Sequence, residues 1–219
     1  MRISQRFNGP PGTGNGGWSA GAFAVAAGAR VGGPLLEVTL RVPPPLETEM
    51  RFEDGSVLDG ETVVATVAEA GGPLPVVAPV ALAEAEEAAR SYAGFTAHPF
   101  PTCYVCGTER PDGLRIFPGP LPDGRTAAPW SVPEQEIGLP TVWAALDCPG
   151  GWTALRTGRT YVLGRIAADV ARLPEPGMTC VIMGEAVEFS GRKALVNSTV
   201  HAPDGSVLGA ARATWIATT

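Results

Sequence analysis

The sequence lacks several features that would place it in common protein classes. Its 219 residues contain no run of about eighteen apolar residues, which argues against a transmembrane helix. The first residues hold no apolar stretch of the kind found in signal peptides. Lysine and arginine total 16 against 22 acidic residues, with no basic cluster that could offset nucleic-acid phosphates. We therefore expect a cytoplasmic protein that binds neither membranes nor nucleic acids.

Residues that bind metals or act as nucleophiles are also scarce. The chain has four cysteines and two histidines, and four cysteines in a chain of this length do not suggest a disulfide framework. Cys103 and Cys106 have zinc-knuckle spacing, but a closed zinc site needs four ligands and the sequence offers no second pair. We expect structural thiols and no metal. No Gly-x-Ser-x-Gly elbow and no Gly-Lys-Ser/Thr phosphate loop occur, which disfavours a serine hydrolase or a P-loop enzyme.

What the sequence does contain suggests a duplication. Gly16-Gly17-Trp18 is matched by Gly150-Gly151-Trp152, and each triplet is followed by an apolar run and prolines. An Asp-Gly-Ser-Val-Leu hairpin motif occurs at residues 54–58 and again at 204–208. The shared order predicts two copies of one structural unit.

The spacing of apolar residues predicts the elements of each copy. Asn15 is suited to cap a helix that ends near Gly28, and residues 36–42 alternate as a half-buried strand does. Later alternating segments are consecutive, as in an antiparallel meander, and residues 81–92 predict a linker helix. We predict an α+β protein in which each half is a central helix wrapped by an antiparallel sheet. The units would be residues 1–75 and 102–219, joined by a linker at 76–101.

The register of the second central helix has two solutions. In one, Asp147 lies about two turns into a helix that begins near Gly138. In the other, Gly150-Gly151 begins the helix and Asp147 precedes it as an N-cap, because Pro149 and two glycines fit poorly inside a helix. Both solutions remain open, and both keep Asp147 near the contact between the halves.

Three motifs resemble those of hotdog-fold acyl-CoA thioesterases. Cys103-Tyr104-Val105-Cys106-Gly107, with the expected strand at residues 113–117, resembles the lead-in of the phenylacetyl-CoA thioesterase group. Asn15-Gly16-Gly17 resembles the start of that family's central helix, and Leu146-Asp147 resembles its acidic segment. The resemblance implies a tandem (double) hotdog fold with one working site, because Ala24 and Gly138 replace the acid and the glycine pair of the second site.

The resemblance also implies an activity, the hydrolysis of an acyl-CoA or acyl-carrier-protein thioester. N–H groups at Gly16 and Gly17 would stabilise the oxyanion, Asn15 would orient the reactants, and Asp147 would be general base or nucleophile. No cofactor is expected, a homo-oligomer is possible, and Arg156, Arg159 and Arg165 are candidates for coenzyme A phosphates. The alternatives are a non-catalytic hotdog protein that binds acyl thioesters and a zinc-stabilised structural module.

Overall fold

The computed structural model describes residues 1–135, 137–155 and 159–218. Its three α-helices are α1 (Gly16–Ala26), α2 (Leu82–Arg90) and α3 (Leu139–Leu155). The strands are β1 (Leu36–Leu40), β2 (Arg51–Glu53), β3 (Ser56–Asp59), β4 (Thr62–Glu69), β5 (Gly119–Pro120), β6 (Thr126–Ser131), β7 (Tyr161–Val170), β8 (Thr179–Ser190), β9 (Lys193–His201) and β10 (Val207–Ala217).

Within the described residues, these strands form one antiparallel sheet with the order β2-β3-β4-β1-β7-β10-β9-β8-β6-β5. Strands β1 and β7 pair at its centre, with Val38 opposite Ile166. Outward from β1 come β4, β3 and β2, and outward from β7 come β10, β9 and β8. In each series, the strand that comes first in the sequence lies beside the fourth, and the third and second follow outward. The chain therefore repeats one strand order on both sides of the β1–β7 pair.

The helices lie on both faces of this sheet. α1 and α3 pack against each other, with Gly17 and Gly21 of α1 close to Trp143 and neighbouring residues of α3. Ile182 of β8 joins the large core that contains both helices, whereas Met183 joins a smaller core with Ala85 of α2. Because successive strand residues point to opposite faces, α2 packs on the face away from α1 and α3. A helix is thus present within residues 81–92, where the spacing predicts one.

The predicted start and end of α1 are confirmed. The Asn15 side chain accepts the N–H of Trp18 at 2.8 Å, so Asn15 is the N-cap. The helix ends at Ala26, and Gly28 has a φ of 97° that few other residues would adopt.

The course of α3 decides between the two registers. The helix runs from Leu139 through Pro149 to Leu155, so Asp147 lies about two turns inside it, and the N-cap interpretation of Asp147 is wrong. Contacts with the sheet compensate for the proline. The Thr126 hydroxyl donates to the Pro149 carbonyl at 2.7 Å, and the Gly150 N–H donates to the Ser198 hydroxyl at 3.0 Å. Burial on all sides thus outweighs the poor helix propensity of this segment.

The glycines that suggested a helix start have a packing role instead. A Cβ at Gly151 would lie 2.3 Å from the Trp215 ring, and one at Gly150 would lie 2.7 Å from Ser198 Oγ. Glycine is needed there because α3 approaches β9 and β10 closely. Residues 16–18 begin α1, whereas the matching residues 150–152 lie near the end of α3. The two triplets are therefore not structurally equivalent.

Two further expectations need correction. Residues 113–117 form no strand; Leu114 and Ile116 donate their N–H groups to the carbonyls of Tyr104 and Val105, which holds this segment along the cysteine loop. Both Asp-Gly-Ser-Val-Leu motifs form hairpin turns, but the first joins β2 to β3 and the second joins β9 to β10. They occupy different places in the repeated strand order. Among the described residues, no helix is both long and apolar enough to cross a bilayer.

Candidate active site

The N-terminus of α1 and the middle of α3 meet at Gly17 and Asp147. The Gly17 N–H donates to Asp147 Oδ2 at 2.9 Å, which links the two helices directly. A Cβ at Gly17 would lie 2.5 Å from Asp147 Cβ and 2.8 Å from the Trp143 carbonyl oxygen. Only glycine allows this approach, so the sequence at position 17 places the carboxyl group against the helix N-terminus.

Asp147 is a buried acid with few partners. Its side chain belongs to a residue that is 2% exposed, and Oδ1 has no hydrogen-bond partner within the described part of the chain. Burial raises the pKa of Asp147 to about 8, the Gly17 N–H partly opposes this, and a negative charge on Cys103 would add to the increase. A carboxyl group in this range exchanges its proton readily near neutral pH, which suits general acid–base chemistry.

A cavity of about 330 Å³ lies over these groups. Both halves of the chain contribute, with Asn15 and Gly16 on one side and Asp147 on the other. Its walls are largely apolar and include Leu163 and the rings of Trp152 and Trp215. The arrangement places one carboxyl group and one helix N-terminus inside an apolar pocket that could hold an acyl chain. Trp18 instead stacks on Phe7 with ring centroids 3.8 Å apart.

The histidine in the cavity wall is not a free base. His98 Nδ1 accepts the Phe100 N–H at 2.9 Å, so the neutral ring carries its proton on Nε2, which donates to the Cys106 carbonyl at 3.1 Å. Burial lowers the pKa of His98, which favours this neutral form. Both ring nitrogens are committed to the loop, and Asp147 is the carboxyl group in the described lining.

Two of the three predicted arginines do not line the cavity, whereas a different arginine does. Arg165 pairs with Glu37 at 3.3 Å, Arg159 lies near the Gly191 carbonyl, and neither lines the cavity. Arg156 lies outside the described residues. Arg41, which follows β1, is exposed at the cavity mouth and donates to the Thr66 hydroxyl at 3.3 Å. No motif in the sequence marks Arg41, because its position in the cavity lining depends on where β1 ends.

The thiols form a cluster that spacing alone did not predict. Cys103 and Cys106 lie in the long loop between α2 and β5, and Cys148 of α3 joins them next to Asp147. The Asn15 side-chain N–H₂ lies 3.7 Å from Cys103 Sγ. Cys180 is a separate buried thiol on β8.

The two contacts of Asn15 can be separated by mutation. Asn15→Ala removes the cap, and we expect the free energy of unfolding to fall by about 1 kcal/mol. Asn15→Ser retains a capping oxygen but loses the amide N–H₂, so its stability should stay close to that of the wild type. Urea unfolding of the three proteins checks this. Equal stability of the alanine variant and the wild type would contradict the capping role.

The fold has known counterparts. Over 100% of this chain and 94% of the other, it is similar to a proposed thioesterase from Novosphingobium aromaticivorans, with a TM-score of 0.59 and 15% identity. A hotdog-fold protein of unknown function from Alicyclobacillus acidocaldarius matches 100% of this chain and 92% of its own length, with a TM-score of 0.56 and 13% identity. A thioesterase-superfamily protein matches 50% of this chain and 60% of its own length, with a TM-score of 0.46 and 16% identity. No protein-family model and no curated protein matches the chain.

Proposed function

We propose that this chain, which has the hotdog fold, is a tandem hotdog thioesterase that hydrolyses an acyl-CoA or acyl-carrier-protein thioester. Residues 1–75 and 102–219 would be the two units and 76–101 the linker. One observation supports this above the others: the Asp147 carboxyl group bonds the N-terminus of α1 inside an apolar cavity lined by both halves. The second, pseudo-symmetric position has Ala24 and so lacks an acid.

The helix N-terminus would hold the thioester carbonyl. The Gly17 N–H is already bonded to Asp147, which leaves the Gly16 N–H as the donor for the oxyanion, since first-turn N–H groups have no acceptor within a helix. Gly16 lines the cavity, and the helix dipole favours negative charge there. The Asn15 amide, which lines the same cavity, would orient the thioester or the water.

Asp147 would act as the base. Ionised Asp147 takes a proton from water, and the hydroxide formed attacks the carbonyl carbon to give a tetrahedral oxyanion. The C–S bond then breaks, and the departing thiolate takes the proton from Asp147. The products are a carboxylic acid and a thiol, and the enzyme is unchanged.

A single turnover in ¹⁸O-water tests this role against direct attack by the carboxylate. With Asp147 as base, the new oxygen of the acid product carries the label in the first turnover. With Asp147 as nucleophile, water that attacks the aspartyl carbonyl of the mixed anhydride puts the label on Asp147, and the acid product of the first turnover then carries unlabelled oxygen from the enzyme. Turnover with labelled acid in the first cycle is the expected result.

Arg41 would contact the phosphates of a coenzyme A substrate at the mouth of the cavity. We expect Arg41→Gln to raise KM for an acyl-CoA about tenfold with little change in kcat, because a hydrogen bond to a charged group contributes about 1.5 kcal/mol. The same acyl group on N-acetylcysteamine, which has no phosphates, is the matched control. An equal change in KM for both substrates would rule out phosphate recognition by Arg41.

A panel of acyl-CoA thioesters, with product acids measured by chromatography, tests the function as a whole. Turnover of at least one member is the expected result. Binding of thioesters without turnover by the wild type would favour the alternative of a non-catalytic acyl-thioester-binding protein.

A further inference from the structure

We propose that Cys103, Cys106 and Cys148 form a three-thiolate site for Zn²⁺ whose fourth position opens into the cavity. The three Sγ atoms all lie within 4.8 Å of one another, and each cysteine is at most 4% exposed. From the sequence, only Cys103 and Cys106 have the spacing of metal ligands. Cys148 lies in α3 without a second cysteine nearby in the sequence, so no motif marks it.

The spacing of the sulfur atoms fits a zinc ion. Tetrahedral Zn²⁺ with Zn–S bonds of about 2.3 Å requires sulfur atoms about 3.8 Å apart, so the cluster would contract by at most about 1 Å. A disulfide would join two of the three thiols and leave the third buried without a role. The number of thiols therefore favours a metal ion over a redox pair.

The loop that carries Cys103 supplies N–H donors of the kind that a metal-binding thiolate needs. The backbone N–H groups of Val105 and Cys106 lie near Cys103 Sγ, and the Asn15 side-chain N–H₂ lies 3.7 Å from the same atom. Gly107 permits the tight turn, since a Cβ there would lie 2.5 Å from the Cys103 carbonyl oxygen. Such donors orient a thiolate and offset part of its charge when a metal is bound.

The cavity supplies the remaining position. All three cysteines line it, and His98 is committed to other partners, so the fourth ligand would be an exchangeable water molecule. Three protein ligands with an open position are typical of reactive zinc sites, while structural sites have four. Binding would release three thiol protons to solvent and leave a bound ion with a net charge of −1.

A cobalt titration tests the proposal on the full-length reduced protein under anaerobic conditions. We expect one equivalent of Co²⁺ to produce sulfur-to-cobalt charge-transfer absorption, which added Zn²⁺ abolishes. Cys148→Ser should weaken Co²⁺ binding at least about 100-fold, because even the loss of a partner to a ligand costs 10- to 100-fold. Cys180→Ser, which removes the separate buried thiol, should bind Co²⁺ as the wild type does.

Two results would overturn the site: no charge-transfer absorption from the reduced wild type, or equal Co²⁺ affinity of Cys148→Ser and the wild type. If Cys148→Ser does not fold, Cys106→Ser is the second variant, and absorption by the wild type remains decisive. The assay does not depend on turnover. Thioesterase activity in a protein that binds no cobalt would therefore overturn this site and leave the proposed function intact.

Discussion

Asp147→Asn is expected to lower kcat for thioester hydrolysis about 10²- to 10⁴-fold, the range for loss of a general base, with KM little changed. Asparagine has nearly the same shape and keeps an oxygen that can accept the Gly17 N–H. It cannot accept a proton from water. The substitution therefore removes the proposed catalytic base and retains the hydrogen bond that links α1 to α3.

The stability of this variant separates a catalytic role from a structural one. A buried carboxyl group with one hydrogen bond contributes little to folding, so thermal unfolding of Asp147→Asn should occur at or above the wild-type temperature. Asp169→Asn, an exposed aspartate on β7, is the matched control and should retain full activity. Turnover by Asp147→Asn within about twofold of the wild type would place the base elsewhere.

Gly17→Ala is the second variant with a large expected effect. The new Cβ would meet Asp147 Cβ at 2.5 Å, the Trp143 carbonyl oxygen at 2.8 Å and the Ala144 Cα at 3.0 Å. Two of these are backbone atoms of α3, so the two helices must separate. We expect a loss of about 1–3 kcal/mol in the free energy of unfolding. A displacement of about 1 Å at the site would also lower kcat about 10²-fold.

Two glycine controls calibrate this effect. A Cβ at Gly71 meets nothing within 4 Å, so Gly71→Ala should leave both stability and turnover unchanged. The atoms nearest to a Cβ at Gly16 belong to the Leu163 side chain, with the Leu163 Cβ at 2.8 Å, so Gly16→Ala should destabilise the fold less than Gly17→Ala. Urea unfolding is measured for all three variants, and kcat is compared between Gly17→Ala and Gly71→Ala. Equal behaviour of Gly17→Ala and Gly71→Ala would contradict the close helix contact.

Local features were predictable from the sequence because each depends on neighbouring residues. The N-cap at Asn15 needs only its own side chain and the N–H of Trp18 in the first turn of α1. The strands β1, β4, β8 and β9 follow the alternation that predicts them. Helix α2 lies within residues 81–92, where the apolar spacing predicts it, and it buries Ala85 and Ala88.

Contacts between distant segments were not predictable in the same way. The repeated motifs at residues 16–18 and 150–152 suggested that the two segments are equivalent. In the first, the glycines begin helix α1; in the second, they allow α3 to pack closely on the sheet. Asp147 was identified through a resemblance, and its bond to Gly17 depends on how α1 and α3 cross. Arg41 and Cys148 carry no local motif. Their positions follow from where a strand ends and which side of a helix faces the cavity.

The most direct test is a crystal structure with an unreactive ketone analogue, in which CH₂ replaces the thioester sulfur of an acyl-CoA that the wild type hydrolyses. The proposed mechanism requires the ketone oxygen to lie about 3 Å from the Gly16 nitrogen, and the carbonyl carbon to lie about 3–3.5 Å from a water molecule bonded to Asp147. An analogue bound with its carbonyl away from both groups, or outside the cavity between α1 and α3, would contradict it.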